Sequence, residues 1–273
     1  MSALEILCVT MHQKDFSKLK QMNIHSDVVF ANQADTTAFM ECKFEGHQAR
    51  MITTNTRGVG INRNLLLLYA EGDICLFADD DVTYDDDMEE RVLREFIDHP
   101  DADIIVFHFD SDSERKQTQY FKTKKCGRFA RLRWGAVRIA FRLEKVRKAN
   151  LWFTTLFGGG CLFPAGEDSM WLAEAKRRGL TFYVSKETIG KISYEESCWF
   201  TGYNEQYYYG QGAYYQAVRP KTFALWMIYS AARTYNEKEL PIKEKLKWIQ
   251  YGAEGYRRMI SYERWQESKK GRL

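Results

Sequence analysis

The sequence predicts an α/β fold: a mixed, mostly parallel sheet flanked by helices, with a helical appendage at the C-terminus. Three observations predict it. Apolar strands alternate with helices through the first hundred residues, the pattern of a wound sheet. An acidic cluster, "ADDD", follows one of those strands, and wound sheets bind ligands at the carboxyl ends of their strands. From about residue 220 the chain turns helical, basic and aromatic. With 273 residues, 45% of them hydrophobic, there is enough apolar material for one large domain, or for a domain plus an appendage.

In chain order, "LEILCVT" is a buried strand and "DFSKLKQM" a polar-faced helix. "SDVVFAN" and "RMITTN" are the next strands. "GINRNLLLLYAEG" is a helix that Gly72 stops. "DICLFA" is a buried strand. The helix in "DDDMEERVLREFIDHP" carries acids in its first turn, where the helix dipole favours them, and Pro100 lies just past its end. "ADIIVFHF" is another strand. The segment 122–148 is strongly basic; within it "AVRIAFR" alternates as a strand with one wet face, and "LEKVRKAN" is a short helix. "LWFTTLFGGG" is a flexible loop, and "GEDSMWLAEAKRRGL" a helix starting near Glu167 and Asp168. "TFYVS" and "ETIGKIS" are short strands.

The net charge of +3 permits anionic partners and selects none. Six scattered cysteines, with no CxxC pair, suit a reduced cytosolic protein. There is no signal-peptide pattern, and no apolar run reaches the ~18 residues of a spanning helix. The five histidines are isolated, and only His12 lies near a strand end of interest.

The chemistry concentrates in a few places. Asp79 and Asp81, one residue apart at a strand end, can reach one divalent cation; Mg²⁺ or Mn²⁺ is commonly shared between one or two carboxylates and a substrate's phosphates. The competing reading is an acidic turn, and for Asp85 to Asp87 helix capping is the better explanation. Upstream, Arg57, two glycines and Arg63 stand at a helix start, where arginine and backbone N–H groups suit phosphate. Glu167 and Asp168 open a helix after a Gly-rich loop. They serve equally as caps or as a base facing a site.

Taken in order, "RGVGINRN", "AEGDICLFADDD" and "FGGG…GEDSMWLAEAKRRG" resemble family 2 glycosyltransferases of the GT-A fold, over about residues 4 to 217. The arrangement is most similar to bacterial enzymes that build capsule, exopolysaccharide or lipopolysaccharide sugars. The resemblance implies a GT-A, Rossmann-like domain at 1–217, with a nucleotide-sugar half at about 1–110, an acceptor half at 111–217, and a helical extension at 218–273. It implies an inverting, metal-dependent transfer from a nucleotide-sugar, by preference a UDP-sugar, to a saccharide or lipid-linked saccharide. Asp79 and Asp81 match the DxD motif as ligands of Mn²⁺ or Mg²⁺, with Asp79 and Asp80 on the donor side. Asp168 matches the catalytic base, with Glu167 beside it. Thr10, Asn32 and Asp35 fall where that family cradles the uridine, and Arg57 and Arg63 join the donor-binding set. The sequence departs from the family at "FANQAD", where an acidic run is usual, and in having no histidine after His108 to act as a late metal ligand.

The expected partners are a nucleotide-sugar, its acceptor and an anionic membrane surface, with no nucleic acid. The expected location is the cytoplasm, extending to the inner face of the membrane. Trp226, Trp248, Tyr251 and Trp265 accompany the tail's basic residues as candidate membrane contacts, and Trp199 is a candidate for stacking on an acceptor sugar. The alternative is a non-catalytic polyanion- or nucleic-acid-binding protein using the basic 122–148 run, which leaves "ADDD" and "GED" unexplained.

Overall fold

The computed structural model describes residues 3–111, 121–127, 134–193, 202–237 and 239–269. Trp199, and residues 128–133 of the basic run, lie outside them. Backbone contacts divide the chain into two compact units. One comprises residues 1–154 and 168–197, the other residues 155–167 and 198–273.

The first unit is built on a sheet. Its strands are β1 (Leu4–Met11), β2 (Asp27–Gln33), β3 (Ala38–Phe44), β4 (His47–Thr54), β5 (Ile74–Asp79), β6 (Val82–Tyr84), β7 (Ile104–Ser111), β8 (Lys124–Lys125), β9 (Ile139–Arg142) and β10 (Phe182–Ile192). The order across the sheet is β3-β4-β2-β1-β5-β9-β7-β10-β6, with β8 beside β10. β4, β2, β1 and β5 run parallel, while β9 is antiparallel to both β5 and β7. The helices of this unit are α1 (Lys18–Gln21), α2 (Val59–Tyr69), α3 (Met88–Asp98), α4 (Leu143–Lys148) and α5 (Glu167–Arg177).

Strand alternation sends successive side chains of β1 to opposite faces. Ile6 and Cys8 join a core cluster with Val92 and Phe96 of α3. Leu7 joins a second cluster with Leu66 and Leu67 of α2 and Trp171 and Leu172 of α5. There Phe153 stacks on Trp171 at 5.4 Å, and Phe77 meets it edge-on at 5.7 Å. The parallel strands are buried on both faces, which is why they appear in the sequence as unbroken apolar runs.

Two glycines are dictated by close approach. A Cβ on Gly60, in the first turn of α2, would lie 2.1 Å from the Thr154 carbonyl oxygen. A Cβ on Gly72 would lie 2.6 Å from that of Glu5. Asn64 locks the first junction further: it donates to the Phe153 carbonyl at 3.0 Å and accepts from the Phe153 N–H at 2.8 Å.

The second unit is helical: α6 (Glu205–Val218), α7 (Phe223–Arg233), α8 (Ile242–Arg258) and α9 (Tyr262–Lys269). The sequence expects its boundary after residue 217, whereas α6 groups with α8 on the helical side. Tyr208, Tyr209, Trp248 and Ile249 are buried. Lys245, also buried, donates to the Thr234 and Glu237 carbonyls just beyond the end of α7, where a cation offsets the helix dipole. The tail aromatics expected at a membrane pack against other rings, one buried and three half-buried. Trp248 is buried, Trp226 stacks on Tyr215 at 5.4 Å, and Trp265 packs on Tyr209 and Tyr251. In α8 the buried Trp248, Ile249 and Ala253 belong to helix packing.

Candidate functional site

Register across the parallel strands assembles a polar row at their carboxyl ends. Thr53 of β4 pairs with Asn32 of β2, Asn32 with Thr10 of β1, and Val9 of β1 with Asp79 of β5. Thr10 is therefore level with Asp80, and its hydroxyl donates to the Asp80 carboxylate at 2.5 Å. Lys18 of α1, which the sequence reading did not single out, donates to the Asp80 carbonyl at 3.0 Å and lies 3.7 Å from its carboxylate. Its only signal in the sequence was a lysine on a polar helix after the first strand.

Asn32 is fully buried and engaged. Its amide donates to the Gln13 carbonyl at 2.9 Å and the Thr53 hydroxyl at 3.0 Å, and its oxygen accepts from the Gln13 N–H at 3.0 Å. In this structure it shapes the loop after β1, in which His12 takes a positive φ of 57°. Asp35 and Arg57 pair with each other at 2.5 Å on the surface, and Arg57 also donates to the carbonyls of Ala34, Asn55 and Thr56.

The centre of the site is Arg63. It sits one turn into α2, 4% exposed, with its guanidinium 5.3 Å from the Phe153 ring centroid. One nitrogen donates to Asp168 at 2.5 Å and another to Asp79 at 3.2 Å. Thus two acidic residues 89 positions apart in sequence, each singled out on its own, meet on one cation. Asp168 is the second residue of α5, yet its carboxylate does not cap that helix. It accepts from Arg63 and, at 3.0 Å, from the N–H of Ala136, just ahead of β9. Burial pushes its carboxyl up from the ordinary carboxylate range, and the charge of Asp79 adds to this; Arg63 and the Ala136 N–H pull the other way without reversing it. Glu167 is half-buried at the same helix start.

Asp81 differs from its neighbours. Asp79 has Arg63, and Asp80 has Thr10 and Lys18, but Asp81 has no ion pair among the described residues. Burial, then the charges of Asp79 and Asp80, push its carboxyl up to about 6. This is the electrostatics of a place that favours a cation. Among the described residues no three His, Cys, Asp or Glu side chains converge as a closed metal cage. Asp79 and Asp81 offer the oxygen donors that Mg²⁺ and Mn²⁺ take when shared with a diphosphate and water.

The basic run has other duties where it is described. Arg147 donates to the carbonyls of Leu67 and Ala70 at the end of α2. Arg142 donates to those of Phe96 and Ala102 around the end of α3. Both close helix C-termini, which accounts for them without a polyanion.

Comparison with known proteins agrees with this architecture. The sequence model of glycosyl transferase family 2 matches residues 27–163. No curated protein matches the chain at a significant level. Among solved structures, residues 1–349 of S. aureus TarS in complex with UDP-GlcNAc share 14% identity, with a TM-score of 0.56 over 95% of this chain and 93% of that one. The same TarS fragment with UDP gives the same values. The longer TarS structure matches at 15% identity and a TM-score of 0.54, over 96% of this chain and 44% of that one. The likeness establishes the GT-A fold that the motif order implied.

Proposed function

The chain belongs to glycosyl transferase family 2 and is a glycosyltransferase, and from that premise we propose that it moves a sugar from a UDP-sugar to a hydroxyl of a saccharide or lipid-linked saccharide, with inversion, in the synthesis of a surface polysaccharide. The observation that carries the reading is Arg63 holding Asp168 and Asp79 together at the carboxyl edge of the sheet. One guanidinium thereby ties a candidate base to the donor-side carboxylates.

In this reading Asp168 takes the acceptor's proton as its oxygen attacks the anomeric carbon. A carboxyl that burial holds above its ordinary range is a better proton acceptor than an ordinary one. Its orientation is fixed from two sides, by Arg63 and by the Ala136 N–H, so the free lone pairs face a defined direction. Asp79 and Asp81 would hold Mn²⁺ or Mg²⁺. When bound, the ion supplies positive charge to the departing diphosphate. Lys18 sits beside Asp80 as a further cation on the same side. Thr10, Asp35 and Arg57 are the groups at this edge that suit a nucleoside. The choice of uridine is supported by TarS, whose structures contain UDP and UDP-GlcNAc.

The test is melting temperature against UDP, GDP, CMP and dTDP, each with and without Mn²⁺, for wild type and Asp81→Ala. A ligand that binds only the folded state raises the melting temperature. The expected result is a shift with UDP that needs metal and vanishes in Asp81→Ala. A metal-independent shift, or one that survives Asp81→Ala, would remove Asp81 from the donor site. No shift with any nucleotide would sink the donor assignment.

A further inference from the structure

Helix α7 has its polarity reversed. Nine of the eleven residues in "FALWMIYSAAR" are apolar, a composition expected of a helix buried all round. Yet its buried positions are the small Ser230 and Ala231, while Leu225 and Ile228 stand 69% and 58% exposed. Leu225, Ile228 and Ala232 follow the i, i+3, i+7 spacing of one helix face, and all three are exposed. Two more exposed apolar residues lie past the helix end. Tyr235 is 74% exposed, and it shares a cleft with Ile242, at the start of α8, which is 44% exposed. Scattered exposed hydrophobics need no explanation, but a continuous aliphatic face does.

Its surroundings point to one occupant. Of the described and exposed charged residues from 219 to 247, Arg219, Lys221, Arg233, Lys243 and Lys247 are basic, and Glu237 and Glu239 are acidic. Arg219 and Lys221, just ahead of α7, and Lys243, in the first turn of α8, are exposed, with Glu237 and Glu239 as the acids at the turn. Aliphatic side chains on one helix face with a basic border are what an interfacial helix presents to anionic lipid. Among the described residues no helix is long and apolar enough to cross a membrane, so this contact would lie on the surface.

We propose that α7 docks the protein onto a bilayer of anionic lipid, with Leu225 and Ile228 entering the acyl boundary, Tyr235 and Ile242 at its edge, and Arg219, Lys221 and Lys243 against the headgroups. This replaces the tryptophans suggested by composition, which are occupied in packing, with aliphatic residues that are not. It does not depend on the donor chemistry.

The experiment is flotation of the full chain with vesicles of phosphatidylcholine alone, or of phosphatidylcholine with phosphatidylglycerol, at low and high salt. The expected result is flotation with the anionic vesicles only, weakened by salt. Leu225→Glu with Ile228→Glu should cut partitioning at least about tenfold, since each burial is worth about that much. Lys221→Glu with Lys243→Glu should cut it on anionic vesicles by a smaller factor. All four positions are exposed, so both variants should keep the wild-type melting temperature, and that is measured alongside. Failure of the wild type to float, or equal flotation of the Leu225→Glu, Ile228→Glu variant, overturns the proposal. So does a wild-type dimer in sedimentation that the same variant converts to monomer without lipid, because the occupant is then a second copy.

Discussion

Two arginines in the sheet unit each hold two carboxylates, at opposite ends of the same parallel strands. At the amino end, Arg50 donates to Glu5 at 2.6 Å and pairs with Glu71 at 2.8 Å. At the carboxyl end, Arg63 holds Asp168 and Asp79. Both guanidiniums are buried. The difference is in what remains of the carboxylates. Glu5 also accepts from the N–H groups of Glu71 and Gly72, at 2.7 and 3.0 Å, so it closes the turn after α2 and has little left to offer. The side chains of Asp79 and Asp168 are 38% and 23% exposed, and Asp81 next to them has no ion pair among the described residues. The first cluster is complete without a ligand, and the second has unused acceptors facing outward. In the proposed function, residual hydrogen-bonding capacity is what separates the structural clasp from the reactive site.

The contrast can be broken most severely at Asp168. Asp168→Asn keeps the shape and removes the charge, so transfer should fall about 10²- to 10⁴-fold. UDP binding should persist, and a variant that still turns over at the wild-type rate would move the base elsewhere. At the other end, Glu5→Ala leaves buried Arg50 with Glu71 alone and takes the acceptor from two backbone N–H groups, those of Glu71 and Gly72. Unfolding in denaturant should show a loss of about 3–5 kcal/mol, while specific activity of the folded fraction stays at the wild-type level. Were activity lost in proportion to neither stability nor folding, the two clusters would not be as separate as drawn.

Asp81 sharpens the comparison through pH. Its carboxyl is raised to about 6 from an ordinary value near 4, so the folded protein prefers its protonated form. The stability it contributes is full below about pH 4 and is lost as pH rises through about 6. Without metal, Asp81→Asn should therefore melt higher than wild type at pH 7, by a few degrees, and the two should converge near pH 4. A lower melting temperature at pH 7 would mean that Asp81 has a partner the electrostatics do not include. The smallest effect is expected at Asp35→Ala. Its pair with Arg57 is exposed, so stability should change by less than about 1 kcal/mol, while UDP affinity should drop about threefold. Isothermal titration measures the latter.

Much of the sheet could be recognised from sequence because β1, β2, β5 and β7 are buried on both faces and carry uninterrupted apolar runs. β3 was missed for the converse reason: it is an edge strand, and nearly all of it is exposed. Its hairpin with β4 turns at Glu45 and Gly46, which both take positive φ, and no apolar run announces the strand. β6 has three residues, too few for any period. β10 was expected as two strands and is one, interrupted by irregular pairing near Thr188. In the site, Asp79, Asp80, Asp81, Arg63 and Asp168 were each visible as motif positions. Their convergence was not, because nothing local connects residue 63 to residue 168. Lys18 escaped because a lysine on a wet helix looks like any other. For the tail aromatics, composition does not say which face of a helix is inward, and the structure packs Trp226, Trp248 and Trp265 against other rings.

Gly60 carries a consequence for anyone mapping this protein by substitution. A methyl group there collides with the Thr154 carbonyl, three residues before Arg63 on the same helix. Displacing α2 moves the guanidinium off both carboxylates. An activity screen would therefore score position 60 as if it were part of the chemistry, although it touches no reacting atom. A screen that also measured abundance would find it among the residues whose loss silences the enzyme before it unfolds it.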